Sequence, residues 1–177
     1  EVALADIESL KGVLLVGCNP RKEAPLLALR IRKMVAQGGV VGTIGSQAVD
    51  ANFEIAAQQR VNPSHLPDAL SSLAQAAGVA DPDLAGLSAE TPAPDDPHCR
   101  ALVDLLGRVG SEGVILLGQS ALNHPAGAVL RFMAAKLAQQ TGMRLGILAP
   151  ANSAGAWWAG GVDGSWGPGE PGEWGPP

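Results

Sequence analysis

Two uninterrupted apolar runs, residues 13–16 and 114–117, stand out in the pattern of hydrophobic and polar positions. Neither run alternates apolar with polar side chains, as a strand with one solvent-facing side does. Four apolar residues in a row therefore predict strands that are covered on both faces, which is typical of parallel sheets. Burying the four side chains of residues 13–16 contributes roughly 6–12 kcal/mol before chain entropy is counted, so a layered fold is favoured.

Apolar residues at helical spacing follow both runs, and glycines mark where these segments end. The predicted helices cover residues 23–37, 67–78, 98–108 and 126–140. Two more apolar segments, residues 40–44 and 145–148, predict strands. Residues 50–65 are predicted to be irregular or weakly helical, with the helical part at residues 51–59. This alternation predicts the α/β class, with a Rossmann-like, doubly wound, mainly parallel sheet and helices on both faces.

The chain is predicted to form one domain over residues 1–156, followed by a disordered tail at residues 157–177. Residues 160–177 are almost entirely Gly, Pro, Trp, Glu and Ser, and they cannot bury enough surface to offset the entropy of ordering them. Residues 81–97 are dense in proline and acidic side chains, which predicts a surface loop. Because the chain begins at Glu1, in mid-pattern and without an initiator methionine, we expect a fragment of a longer protein.

Charge and hydropathy exclude two classes of partner. The net charge of −5 argues against the basic surface that nucleic-acid binding requires. No apolar run approaches the roughly 18–20 residues that cross a bilayer. We therefore expect neither nucleic-acid binding nor direct insertion into a membrane.

The two cysteines, Cys18 and Cys99, lie far apart and have no metal-ligand spacing. They predict free thiols in a reduced, intracellular protein and no metal site. Cys18 is a conceivable nucleophile, but a lone cysteine without a paired base is usually structural. Ser120 and Ser153 lack a histidine and a carboxylate grouped with them, so the sequence predicts no catalytic residue.

Two turns are the candidate ligand-binding positions, because each follows a predicted strand and precedes a helix. They are Gly17-Cys18-Asn19 and Gly118-Gln119-Ser120. Backbone N–H groups at such turns bind anions, and glycine lets a phosphate approach closely. We therefore take Gly17, Cys18, Asn19, Gly118 and Gln119 as candidate cofactor-binding residues. Neither turn has the G-x-G-x-x-G spacing or a P-loop lysine, so ordinary turn chemistry stays an open alternative.

His124 follows the second turn and precedes a predicted helix. Two interpretations stay open for it. It contacts a phosphate or a partner, or it is an ordinary residue of the capping loop.

Residues 13–32, with the motif Gly17-Cys18-Asn19-Pro20-Arg21-Lys22-Glu23-Ala24-Pro25, resemble the molybdopterin oxidoreductase superfamily. Within it, they are most similar to the family of G subunits, the large iron–sulfur subunits of bacterial NADH-quinone oxidoreductase (respiratory complex I). Residues 118–128 and 152–156 are further matches. Together the matches run through residues 1–156 in a consistent order.

The resemblance implies a Rossmann-like domain that helps to hold the guanine dinucleotide of a molybdopterin cofactor. Cofactor-binding relatives commonly have Asp-Pro-Arg after the second strand, where this chain has Gly45-Ser46-Gln47. This departure implies a vestigial site, with no cofactor in this fragment and molybdopterin absent. The iron–sulfur clusters of the family belong to an N-terminal region that this chain lacks, and Cys18 and Cys99 alone hold no cluster.

The expected role is therefore a non-catalytic structural domain that contacts other subunits of the complex I peripheral arm. Such a domain would lie on the cytoplasmic side of the bacterial inner membrane and support electron transfer from NADH to quinone. Two alternatives stay open. One is a fragment of an oxidoreductase that binds molybdopterin guanine dinucleotide, such as formate dehydrogenase. The other is a free-standing module that binds a small nucleotide at the Gly17 and Gly118 turns.

Overall fold

Five parallel strands form one sheet in the order β3-β2-β1-β4-β5. A computed structural model describes residues 3–80 and 96–148 of the chain. The strands are β1 (Gly12–Val16), β2 (Val40–Gly45), β3 (Ala57–Arg60), β4 (Gly113–Leu117) and β5 (Arg144–Ile147). The two apolar runs become β1 and β4, which are adjacent and buried at every position. The predicted parallel, Rossmann-like α/β fold is confirmed.

Helices cover the two faces of the sheet unequally. They are α1 (Pro20–Glu23), α2 (Pro25–Ala36), α3 (Leu66–Ala76), α4 (Pro97–Val109), α5 (Gln119–Leu122) and α6 (Gly127–Thr141). Short 3₁₀ helices form at Leu4–Ser9, Pro63–His65 and Gly110–Glu112. Buried side chains of α3, α4 and α6 pack on one face, together with Leu14 and Ile115. On the other, which we call the α2 face, Leu15 and Leu116 pack with α2 and with the Leu4–Ser9 helix.

Of the two alternatives for residues 51–59, the weak helix is wrong: the chain is irregular as far as Ala56 and then forms β3 (Ala57–Arg60), which was not predicted. Backbone bonds to β2 hold this edge strand, and they extend beyond it from the N–H of Ala56 to the carbonyl of Val41. Ala57 and Gln59 point inward. A strand that pairs through its backbone at the edge of a sheet needs no β-branched side chains, so its sequence carries little strand signal.

The helix predicted at residues 23–37 is interrupted near its start. The short helix α1 ends at Glu23, and α2 begins at Pro25 after a non-helical Ala24, whose φ is −149°. Proline disfavours the helical conformation of the residue before it and suits the first turn of a helix. Pro25 therefore divides the segment, and the loop at Ala24 leaves Glu23 at the end of a separate turn.

Other boundaries differ in smaller ways. The predicted loop at residues 81–97 ends too late, because Pro97 is the first residue of α4 and Asp96 caps the helix by accepting a hydrogen bond from the N–H of His98. The short α5 was not predicted. Residues 81–95 of the predicted loop, residues 152–156 and the predicted tail at 157–177 lie outside the described residues. Within the described residues, none of the helices is both long enough and apolar enough to span a membrane.

Candidate functional site

The two candidate turns lie side by side at the edge of the sheet where the strands end. The N–H of Gly118 donates to the carbonyl of Val16 at 3.0 Å, and the N–H of Ser120 donates to the carbonyl of Gly17 at 3.1 Å. The strand order reverses between β1 and β4, so the turns flank the topological switch point, where open α/β sheets bind ligands. The turns meet because they follow adjacent parallel strands, whose carboxyl ends lie at the same edge of the sheet.

Two glycines make the close approach of the turns possible. A Cβ on Gly118 would lie 2.3 Å from Cα of Cys18 and 2.6 Å from the carbonyl oxygen of Gly17. Gly17 has a φ of +55°, and a Cβ there would lie 2.7 Å from the backbone nitrogen of Ala121. Because the neighbouring atoms belong mostly to backbone, neither position has room for a side chain.

Glu23 joins the two turns, and the sequence interpretation missed it. Its Oε1 accepts a hydrogen bond from the N–H of Asn19 at 2.6 Å, and its Oε2 accepts one from the N–H of Gln119 at 2.8 Å. The first bond resembles a capping box, in which an acidic side chain reaches back to the start of its helix. That bond could have been suspected from Asn19-Pro20 and Glu23. The second bond spans 96 residues and has no local signal.

A small cavity of about 100 Å³ adjoins the first turn. Among its lining residues are Gly17, Cys18, Asn19 and Glu23, together with residues 44–49 at the end of β2 and just after it. Gly118 and Gln119 do not line it, although Ser120 does. The side chain of Gln119 instead donates a hydrogen bond to the carbonyl of Leu148 at 2.5 Å. The candidate residues therefore form one crevice, but only three of the five line its cavity.

Cys18 lies in this crevice as a buried thiol. It is 7% exposed, and burial is the main cause that raises its pKa, with the negative charge of Glu23 adding to the effect. Burial and the charge of Asp96 also raise the pKa of Cys99. A raised pKa keeps a thiol protonated, and the protonated form is not the nucleophile. The structure thus favours the structural interpretation of Cys18.

We expect both thiols of the native protein to resist Ellman's reagent at about pH 8, near the ordinary pKa of cysteine, because both are buried and protonated. Both should titrate once the chain is unfolded in guanidinium chloride. The variant Cys18→Ala should then lose one titratable thiol. A fast reaction of one thiol in the native wild type, abolished by Cys18→Ala, would contradict this expectation and restore Cys18 as a candidate nucleophile.

His124 belongs to the capping loop before α6. Its Nδ1 accepts a hydrogen bond from the N–H of Ala126 at 3.0 Å. This contact fits the capping interpretation of the two that the sequence left open. Among the described residues, no group of three His, Cys, Asp or Glu side chains is placed to hold a metal ion. Ser153 lies outside the described residues.

The family model described as molybdopterin oxidoreductase matches residues 1–151. The chain belongs to the molybdopterin oxidoreductase family. The match includes all five strands and both turns of the crevice. The resemblance seen in residues 13–32 is thereby confirmed at the level of the family.

The guanine dinucleotide of a molybdopterin cofactor, which the family implies, does not fit the described residues of this crevice. The cavity measures about 100 Å³, whereas sites for small molecules and cofactors commonly measure roughly 300–1,000 Å³. The backbone donors of Asn19 and Gln119 are already bonded to Glu23. After β2 the chain has Gly45-Ser46-Gln47, without an acidic side chain. In the described part of the chain, the crevice thus offers a dinucleotide neither the usual space nor these two donors.

Proposed function

We propose that this chain is a non-catalytic structural domain of the G subunit of NADH-quinone oxidoreductase, respiratory complex I. In this role it lies in the peripheral arm, on the cytoplasmic side of a bacterial inner membrane, and contacts other subunits of that arm. It supports electron transfer from NADH to quinone without carrying electrons itself. Membership of the molybdopterin oxidoreductase family and the similarity of residues 13–32 to the G subunits support the proposal.

An exposed apolar groove on the α2 face supports the part of this proposal that concerns contact with another subunit. It has a volume of about 670 Å³ and lies beside the edge strand β5. Its walls come from Leu4 and Ile7, from residues 24–27 at the start of α2, from Leu116 and from residues 145–148. Leu26 is 68% exposed and Ile147 49%, so large aliphatic side chains face solvent here. Contiguous apolar surface of this kind is typical of a face that packs against another protein.

The lining of the groove favours a protein partner over a small ligand. Each lining residue is aliphatic, proline or glycine, so no polar side chain points into the groove from these walls. Small-molecule sites hold their ligands in a fixed orientation with a few placed polar groups. An apolar surface of a neighbouring peripheral-arm subunit needs no such groups, and burying the exposed leucines against it is favourable.

The variant Leu26→Glu should weaken assembly without unfolding the domain. Leu26 is the second residue of α2, where an acidic side chain interacts favourably with the helix dipole. In an apolar interface, however, the same carboxylate is buried without a partner, which costs several kcal/mol. Since about 1.4 kcal/mol corresponds to a factor of ten, we expect the tagged chain, expressed in the organism that encodes it, to retain at least about tenfold less of the other peripheral-arm subunits. Quantitative mass spectrometry after affinity purification measures this.

Leu29→Glu is the matched control, because Leu29 is exposed on the same helix and does not line the groove. Equal losses in the two variants would contradict the role of the groove. A wild-type chain that retains no peripheral-arm subunit would contradict the complex I assignment. Stoichiometric molybdenum and pterin in the purified full-length protein would contradict the non-catalytic role and favour a dinucleotide-binding oxidoreductase instead.

A further inference from the structure

The carboxylate of Glu23 occupies a position that resembles that of a bound anion. Its two oxygens accept hydrogen bonds from two backbone N–H groups, at 2.6 Å and 2.8 Å, one on each side of the switch point. In open α/β sheets, N–H groups at such turns are the donors that hold the phosphates of a ligand. In this protein the two N–H groups instead donate to a side chain of the protein itself.

We propose that Glu23 is a built-in anion, which locks the two turns together and excludes an external phosphate or pyrophosphate group from the switch point. This inference concerns the crevice alone and does not depend on the assembly to which the domain belongs. It gives a physical reason why a member of this family would lack the cofactor.

The backbone around Glu23 fixes its carboxylate in place. The N–H of Glu23 donates to the carbonyl of Asn19 at 2.9 Å, which closes the turn of α1 and brings the side chain back over the start of that helix. The partner turn is held as well, since the side chain of Gln119 is tied to the carbonyl of Leu148. Donors and acceptor are thus both oriented before any ligand arrives, and a ligand would have to break both bonds.

The negative charge of Glu23 also disfavours the binding of a phosphate. A phosphate that reached the N–H groups of Asn19 or Gln119 would place its negative oxygens beside the carboxylate of Glu23. This crevice is partly buried, so like charges repel more strongly there than in bulk water. Displacement of Glu23 by a phosphate is therefore opposed by this repulsion, and it also requires breaking the two hydrogen bonds that the carboxylate accepts.

The test compares the wild type with Glu23→Ala and with the control Glu54→Ala, whose side chain is exposed between β2 and β3. Urea unfolding of the full chain is measured with inorganic pyrophosphate and with sodium chloride at equal ionic strength. We expect Glu23→Ala to raise the ratio of unfolded to folded protein about tenfold more than Glu54→Ala does. Pyrophosphate should stabilise Glu23→Ala and leave the wild type unchanged.

If Glu23→Ala does not fold, the isosteric variant Glu23→Gln provides the test. An amide cannot accept both hydrogen bonds, so amide hydrogen exchange at Asn19 or Gln119 should become faster in Glu23→Gln than in the wild type. Unchanged exchange at both positions would overturn the proposal. So would a wild type that pyrophosphate stabilises as strongly as Glu23→Ala. None of these readouts depends on peripheral-arm subunits, so this proposal and the proposed function can fail separately.

Discussion

Replacing Gly118 by alanine should destabilise the protein by about 3 kcal/mol or more, at the upper end of the range for overpacked sites. The new Cβ would lie 2.3 Å from Cα of Cys18 and 2.6 Å from the carbonyl oxygen of Gly17. These are mainly backbone atoms of the neighbouring turn, and they cannot move aside as the end of a flexible side chain can. The urea midpoint of Gly118→Ala, with an unchanged slope, measures the loss.

Gly107→Ala is the matched control for this prediction. Gly107 lies inside α4, and no atom lies within 4 Å of a Cβ built there, apart from the backbone of its own helix. Alanine at such a position removes the entropic penalty of glycine and should stabilise the protein by about 0.5–1 kcal/mol. Equal destabilisation by the two variants would show that the two turns do not meet as closely as described.

Truncating Leu105 to alanine should cost about 2–5 kcal/mol, as is usual for a fully buried leucine. Leu105 is 0% exposed and packs from α4 on the sheet, where its Cδ1 would lie 3.4 Å from a Cβ on Gly42. The truncation leaves a cavity between α4 and the sheet, and the central strands have little freedom to close it. Denaturant unfolding of Leu105→Ala measures the loss.

Leu29→Ala separates this effect from a general effect of losing a leucine. Leu29 lies on α2 and is 47% exposed, so the same truncation there should change the free energy of unfolding by about 0.5 kcal/mol or less. A loss at Leu105 as small as that at Leu29 would contradict the packing of α4 on the sheet.

The centre of the fold could be predicted from sequence because burial leaves a local signal. The runs at residues 13–16 and 114–117 have no polar position that could face solvent, so they predict covered strands. The edge strand β3 leaves no such signal. It contains two glutamines and an arginine, and its pairing depends on the backbone of β2. β3 can therefore be located only from its pairing with β2, and that pairing forms only in the folded protein.

The candidate site, too, could be predicted from sequence only in part. Gly17 and Gly118 could be predicted, because a glycine between a strand and a helix marks a turn at the end of a parallel strand. The role of Glu23 could not, because its bond to Gln119 joins positions 96 residues apart. The apolar groove was also missed. Helical spacing with Ile31 and Met34 predicts that Leu27 is covered, and it is 4% exposed. Leu26 is 68% exposed, and nothing local in the sequence shows that it lines a groove together with β5.

The position of β1 in the middle of the sheet has a consequence for synthesis on the ribosome. β1 can pair with β2 soon after both strands have emerged. Its partner on the other side, β4, is synthesised about a hundred residues later, since Gly12 pairs with Gly113. At typical translation rates this delay lasts roughly 5–20 s. During this delay, the nascent chain exposes one unpaired edge of the apolar strand β1. An exposed edge of this kind favours aggregation or chaperone binding.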